Sequence, residues 1–222
     1  MDPIYPFRKT GLRLPAQHHK LIKAKSIQRR ITEMSKVVDA HMRLSTSEGL
    51  SLTTVSLLNG AAPFYAKMRE LVFPGHIPIN LHATSYTQQE SGTLKINEKA
   101  LDLKKIEGRI VYLFDDIIDS GQTMCELEKL FLEMGARQVI TISLLDKPTG
   151  RDEKYQTFTS QLNGFVIPHA WAFGFGMDEG NGLDYEWVRN LLDIYYYEPN
   201  DGSVVNLADI MQPALSKLPL AA

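Results

Sequence analysis

Cysteine is almost missing from this sequence: Cys125 stands alone among 222 residues, which excludes an intramolecular disulfide and a cysteine-only zinc site. Such usage suits a reducing compartment, so a cytoplasmic protein is expected. An excess of either charge is missing too. The 24 basic residues face 26 acidic ones, for a formal net charge of −2, and this balance gives no electrostatic case for nucleic acid or an anionic membrane as partner. No apolar run approaches the roughly 18 residues of a spanning helix. Residues 1–25, with Arg8, Lys9, Arg13, Lys20, Lys23 and Lys25, hold no apolar stretch of signal-sequence length. Internal repeats are also absent.

What is present is a hydrophobic fraction of 44%, enough for one sizeable domain with a smaller attachment. Residues 1–25 carry Pro3, Pro6 and Pro15 without periodicity and read as an irregular arm, in which His18 and His19 have no partner at ligand spacing and read as surface residues. Ile27, Ile31, Met34, Val38 and Met42 then recur at three- and four-residue steps, as one face of an amphipathic helix requires. Residues 52–58 form a short β-branched apolar run ending at Asn59-Gly60, residues 61–72 return to a helical pattern, and residues 77–84 read as a second strand. A polar loop over 85–92 follows. Residues 110–114 and 139–145 are further apolar strands, separated by a helical face of Met124, Leu127, Leu130, Phe131 and Met134. After Arg151, residues 164–167 and 171–175 are strand-like, and a modest helix is expected near 207–215. Apolar strands alternating with amphipathic helices predict a doubly wound, mostly parallel α/β sheet. Ligands bind beyond the C-terminal strand ends of such sheets, so the loops starting at Asn59, Ser85, Asp115 and Asp146 are expected to share one crevice.

The most informative stretch is Val111-Tyr-Leu-Phe-Asp-Asp-Ile-Ile-Asp-Ser-Gly-Gln-Thr-Met124. An apolar strand delivers two adjacent carboxylates, Asp115 and Asp116, whose oxygens suit a ribose diol and magnesium. Asp119, Ser120, Gly121, Gln122 and Thr123 open a helix whose free N–H groups and hydroxyls suit a phosphate monoester. A single acid here would read as loop solvation or as a helix cap, for which Asp119 or Ser120 qualifies. The ordered set after a buried strand points instead to a pentose phosphate.

Phe114-Asp-Asp-Ile-Ile-Asp-Ser-Gly-Gln-Thr123 resembles the phosphoribosyl pyrophosphate signature of type I phosphoribosyltransferases. Leu58-Asn-Gly60, Ser85-Tyr86, Leu144-Leu-Asp-Lys-Pro148, Gly164-Phe-Val-Ile-Pro168, Trp171 and Gly174-Phe-Gly-Met-Asp178 resemble the hypoxanthine-guanine branch, in its bacterial form. The resemblance covers residues 27–195 and implies a single domain with its core at about 36–163, a small hood from about 1–35 and 164–198, and an extension over 199–222. It implies transfer of a phosphoribosyl group from phosphoribosyl pyrophosphate to a 6-oxopurine, giving IMP or GMP and pyrophosphate in purine salvage, by a homo-oligomer, dimer or tetramer. By the same resemblance Asp115 and Asp116 hold ribose hydroxyls and magnesium, residues 119–123 hold the 5′-phosphate, and Asp119 assists proton removal at N7 of the base. Lys147 donates to the 6-oxygen, which selects against a 6-amino group. Trp171 stacks on the base and the Ala172 backbone faces its edge. Asp178 holds a second magnesium, Arg189 with Leu58, Asn59 and Gly60 meets pyrophosphate, and Ser85 and Tyr86 open a lid.

Three features depart from the branch. Asn59 and Ala170 stand where lysine is frequent, and the spacing between Asp178 and Arg189 is longer, with Gly180, Asn181 and Gly182 suggesting an inserted turn. Asn59 and Ala170 keep open a non-catalytic nucleotide-sensing regulator on the same fold, and a preference for xanthine is the alternative that depends on contacts around the purine 2-position, near Asp178 and Ala172.

Overall fold

A computed structural model describes residues 18–84, 95–96, 101–149, 151, 153–180, 183–197, 210–215 and 218–219. In chain order its strands are β1 (His18–Ile22), β2 (Leu52–Leu58), β3 (His76–Thr84), β4 (Lys95–Ile96), β5 (Ile110–Ile118), β6 (Gln138–Asp146), β7 (Leu162–Val166), β8 (Trp171–Phe173) and β9 (Ile194–Tyr197). The α-helices among the described residues are α1 (Ala24–Ser47), α2 (Ala62–Arg69) and α3 (Gln122–Glu133).

Strands β3, β2, β5, β6 and β7 lie in that order and are all parallel, with β4 antiparallel on the β3 edge. The chain therefore builds outward from β2 to β3, then returns to the other side of β2 and continues through β5, β6 and β7. Loops leaving β2 and β5 diverge to opposite faces, and this reversal opens a crevice at their C-terminal ends. The doubly wound sheet expected from the sequence is the one observed.

Strand β5 shows why the sheet is covered on both faces. Ile110, Tyr112 and Phe114 point into the cluster shared with α1 and α2, where Phe64 and Tyr65 ring centroids lie 6.0 and 5.2 Å from that of Phe114. Val111 and Leu113 point the other way, toward Met124, Leu127 and Phe131 of α3. Burying one such side chain stabilises by about 1.5–3 kcal/mol, so alternate residues of one strand hold opposite layers. Strand β5 also runs four residues past the expected end at Phe114, because the ladder to β6 continues to the Ile118–Asp146 pair. The acidic pair therefore lies within the last four residues of the strand, not at the start of a loop.

The N-terminal arm was expected to be irregular, yet residues 18–22 form β1 in a second, antiparallel sheet of order β1-β9-β8. His19 is exposed and His18 half-buried, as surface residues are; the His18 ring sits 5.6 Å from that of Tyr195 and the His19 ring 5.5 Å from that of Tyr196. Asp193 binds the Lys20 ammonium at 2.5 Å and accepts from the Ala24 N–H at 2.6 Å. A carboxylate distant in sequence thus satisfies the first orphan donor of α1, whose own N-cap, Lys23, supplies no side-chain bond.

No helix is observed over residues 210–215; Met211 instead exchanges backbone hydrogen bonds of 2.9 and 3.0 Å with Val166 on the outer strand β7. Pairing the exposed ladder groups of β7 wins over weak helical propensity. Arg30, buried on α1, donates to the carbonyls of Gly164 (2.7 Å), Asn163 (3.2 Å) and Pro213, which ties the segment to the sheet edge. Farther on, the carbonyl of Pro219 accepts from Gln138 Nε2 at 2.8 Å and from His41 Nε2 at 2.9 Å.

A carbonyl only accepts, so His41 Nε2 carries a proton, and neutral Nδ1 accepts from the Tyr112 hydroxyl at 2.6 Å. Burial pushes the His41 pKa down, partly offset by the Pro219 bond and Glu48. Since the folded value lies below the unfolded one, the contribution is complete above the ordinary histidine value of about 6.5 and is lost as pH falls through it toward the folded value. His41→Gln, which cannot titrate, is expected to melt with a shallower pH slope between about pH 7.5 and 5.5. At the upper end it should lose about 1–3 kcal/mol from the unpaired Tyr112 hydroxyl. Parallel melting curves against pH for the two proteins would reject this role.

Candidate functional site

The crevice at the β2/β5 reversal has a volume of about 390 Å³ and is lined from four directions. From β2 come Leu57, Leu58, Asn59 and Gly60, and the Leu58–Asn59 peptide is cis. A Cβ on Gly60 would overlap the Asp116 carboxylate, so the missing side chain is what lets that acid lie against the turn. Gly176, at φ +101°, packs in the same way onto the Gly60 carbonyl and Pro63. Two glycines therefore set the spacing between the β2 turn, the acidic strand end and the segment after β8.

Strand β5 supplies Asp115, Asp116 and Ile117. Asp115 Oδ1 accepts from the Asp116 backbone N–H at 2.9 Å. Both carboxylates are half-buried. Burial, and then the charge of Asp116, pushes Asp115 well above the usual carboxylate range; burial also raises Asp116, against hydrogen bonds from Asp115 and the backbone and the more distant charge of Arg189. Two crowded acids of this kind attract a proton or a cation. Among the described residues no three His, Cys, Asp or Glu side chains converge on a point that would hold a metal. A pair of carboxylates does fit magnesium, which keeps several waters and is commonly completed by substrate phosphates.

After Ile118 the chain turns into α3, and residues 119–121 with Thr123 line an adjoining hollow of about 120 Å³. The cap of α3 is Gly121, at φ +82°, rather than Asp119 or Ser120. Ser120 Oγ nevertheless accepts from the Gln122 N–H at 3.2 Å. The Gln122 side chain turns to Glu126 at 3.3 Å and lines neither hollow.

Lys147 follows β6. Its side chain is buried and its ammonium sits 2.6 Å from Asp119 Oδ1, while Asp119 is 55% exposed. Both residues line the crevice, the acid being the more exposed of the two. Trp171, half exposed, and Ala172 contribute from β8, with Met177 and Asp178 beyond them. Arg189 Nη2 binds Asp178 Oδ2 at 2.5 Å and Nη1 donates to the Gly176 carbonyl at 2.7 Å. Ala170, by contrast, is buried in the core. Ser85 and Tyr86, with the lid expected around them, lie outside the described residues, as do Asn181 and Gly182.

Sequence reasoning missed the layer beneath. Asp146 and Arg151 form a buried ion pair. Arg151 also donates to the carbonyls of Asp119 (3.2 Å), Ile118 (3.4 Å) and Phe158. Asn163 Nδ2 donates to the other Asp146 oxygen at 3.2 Å. Burial raises the Asp146 pKa, against the Arg151 charge and hydrogen bond. An arginine five residues after a strand-terminal aspartate was the visible signal.

Comparison with known proteins places these features in context. The phosphoribosyl transferase domain profile matches residues 35–179. The chain is 32% identical to the hypoxanthine-guanine phosphoribosyltransferase of Aquifex aeolicus over 182 residues, 80% of this chain and 93% of that protein. It is 32% identical to the enzyme of the same name from Bacillus subtilis, over 81% of this chain and 92% of that one. The hypoxanthine phosphoribosyltransferase of Trypanosoma cruzi, solved with the product IMP, superposes with a TM-score of 0.67 at 25% identity, covering 85% and 98% of the two chains.

The glycine packing has a direct test. Gly176→Ala forces a Cβ onto the Gly60 carbonyl at positive φ, whereas Gly49, at φ +82°, has open space around it. We expect Gly176→Ala to lose about 2 kcal/mol or more in urea denaturation, against about 1 kcal/mol for Gly49→Ala. Equal losses would show that the close approach carries no constraint.

Proposed function

The chain belongs to the phosphoribosyl transferase family, and we propose that its crevice joins hypoxanthine or guanine to the ribose of phosphoribosyl pyrophosphate, giving IMP or GMP in purine salvage. The observation that carries this reading is the convergence, at one strand reversal, of a carboxylate pair, a helix-opening turn and a lysine-bound aspartate beneath an open indole. Each belongs to a different part of one substrate pair.

In this reading the hollow at residues 119–123 takes the 5′-phosphate. It offers N–H groups at the start of α3, and the Ser120 and Thr123 hydroxyls lie at its mouth. Asp115 and Asp116 accept from the ribose hydroxyls and would hold magnesium, which when bound offsets the charge of the departing pyrophosphate. Leu58, Asn59, Gly60 and Arg189 flank the place left for pyrophosphate, and Asp178 is the further carboxylate available to a second ion. Ser85 and Tyr86 are assigned to a lid that excludes water.

The base stacks on Trp171, with the Ala172 backbone at its edge. Lys147 donates to the 6-oxygen; a 6-amino group in that place would set donor against donor, which disfavours adenine. Bond formation at N9 with loss of pyrophosphate at C1′ leaves a proton to be taken from N7, and Asp119 is the exposed carboxylate on that side. Its bond to Lys147 holds it in place. Transfer passes through a cation-like sugar, so rate comes from positioning the reactants and excluding water that would hydrolyse the donor. A homo-oligomer in the cytoplasm completes the reading, and no helix among the described residues is long and apolar enough to cross a membrane.

Incubation with phosphoribosyl pyrophosphate, magnesium and each of hypoxanthine, guanine, xanthine and adenine, followed by pyrophosphate release, tests the function. Turnover of the first two is expected. Release with none of the four sinks the reading, and xanthine as the preferred base would move the specificity. Asp119→Asn should lower kcat by about 100-fold or more. A change within about threefold, roughly 0.7 kcal/mol of barrier, would remove the general-base role.

A further inference from the structure

We infer that Arg151 is a positioning residue for the phosphate-binding turn: from beneath, it fixes which way the peptides after Ile118 and Asp119 point. This rests on the phosphoribosyl reading of the crevice. The guanidinium is fully buried and its charge is balanced by Asp146. Its remaining donors go to main-chain carbonyls, those of Ile118, Asp119 and Phe158. Asp146 is in turn held by Asn163, whose side-chain oxygen accepts from Ser143 Oγ at 2.6 Å and from Ser160. Arg151, Asp146, Asn163, Ser143 and Ser160 line neither hollow, whereas Ile118 and Asp119, whose carbonyls Arg151 holds, line the smaller one.

The consequence follows from peptide geometry. In a planar trans peptide the C=O of one residue and the N–H of the next point in opposite directions. Drawing the Asp119 carbonyl down onto Arg151 therefore turns the Ser120 N–H up, away from the interior. The Ile118 carbonyl, held by Arg151 and by the Lys147 N–H at 2.9 Å, does the same for the N–H of Asp119. Donors that serve an anion are useful only if they are aimed before it arrives. A planar five-donor fork reaches one carboxylate and three carbonyls together; a lysine ammonium, with three donors on a flexible stem, does not. Lys147 lies on the same loop, but it meets Asp119 through a side-chain contact that Arg151 does not touch.

The experiment uses calorimetry with ribose 5-phosphate, and steady-state kinetics with phosphoribosyl pyrophosphate and hypoxanthine. Arg151→Lys keeps the charge beside Asp146 and loses the fork; a second variant, Arg151→Met with Asp146→Asn, buries no charge at all. Each folded variant is expected to bind ribose 5-phosphate about tenfold more weakly, equivalent to about 1.4 kcal/mol. KM for the donor should rise similarly while KM for hypoxanthine moves less than about threefold. A purely structural role would lower the amount of active protein without this split. Unchanged ribose 5-phosphate affinity in either folded variant overturns the assignment, and so does failure of both to fold, which would make the cluster a stability element. A parent protein that binds no ribose 5-phosphate overturns the phosphoribosyl reading itself; that outcome is distinct from parent binding with unaltered variants.

Discussion

Strand β5 is buried on both faces and yet has to end in two adjacent carboxylates, and the rest of the site is arranged around that conflict. The apolar half, residues 110–114, is locked between two helical layers, so the acids cannot retreat into solvent by fraying the strand. Partial burial raises the proton affinity of both, and the charge of Asp116 raises that of Asp115 further. A fold that keeps such a pair at neutral pH holds a standing attraction for cations and for hydroxyl donors at that point. The absence of a side chain at Gly60 gives Asp116 its place, and Gly176 in turn closes on Gly60. Backbone contact, rather than side-chain choice, therefore transmits the position of the acids to the segment carrying Met177 and Asp178.

A second regularity is the use of buried arginines as carbonyl collectors. Arg30 gathers the carbonyls of Asn163, Gly164 and Pro213 at the outer edge of the sheet. Arg151 gathers those of Ile118, Asp119 and Phe158 beneath the crevice. Each stands where chain leaves the regular ladder, at a strand end or along an outer strand, where carbonyls lose their ladder partners and cannot be left unpaired without cost. Burying a guanidinium is expensive unless all its donors are used. Asp146 balances the charge of Arg151, and the main chain uses what remains.

How far the sequence could be read depended on whether the responsible interaction was local. The strands were legible because residues 110–114 of β5 and most of 139–145 in β6 are apolar and their neighbours repeat at helical spacing, so burial on both faces is written into consecutive residues. The crevice was legible because the reversal of strand order follows from that alternation, and the loops leaving β2, β5 and β6 do meet there. The strand formed by residues 18–22 was not, since its partner β9 lies far along the chain and its own residues, His18, His19 and Lys20, are polar. In the tail, Pro213 already argues against a helix over residues 210–215, and the edge of β7, lying far off in sequence, supplies Met211 with its partner. Arg151 escaped notice because its function is spent on backbone carbonyls, which leave no trace in residue identity.

The charge balance of the crevice connects these parts. Its described lining holds four carboxylates, Asp115, Asp116, Asp119 and Asp178, against two cations, Lys147 and Arg189. Each cation is already within 2.6 Å of one of the acids. Asn59 brings no charge to the turn after β2. A polyanionic sugar donor approaching this surface alone would meet net repulsion, and Coulomb interactions at such distances are worth several kcal/mol in a partly desolvated site. Under the proposed function the donor must therefore bring its own neutralising ion, or release Lys147 and Arg189 from Asp119 and Asp178 as it binds. Among the described residues, the uncharged donors of the turn, its peptide N–H groups and the Ser120 and Thr123 hydroxyls, are then the favourable elements left for its 5′-phosphate. That is the physical reason the orientation of the turn after Ile118 matters more here than in a crevice furnished with free lysines.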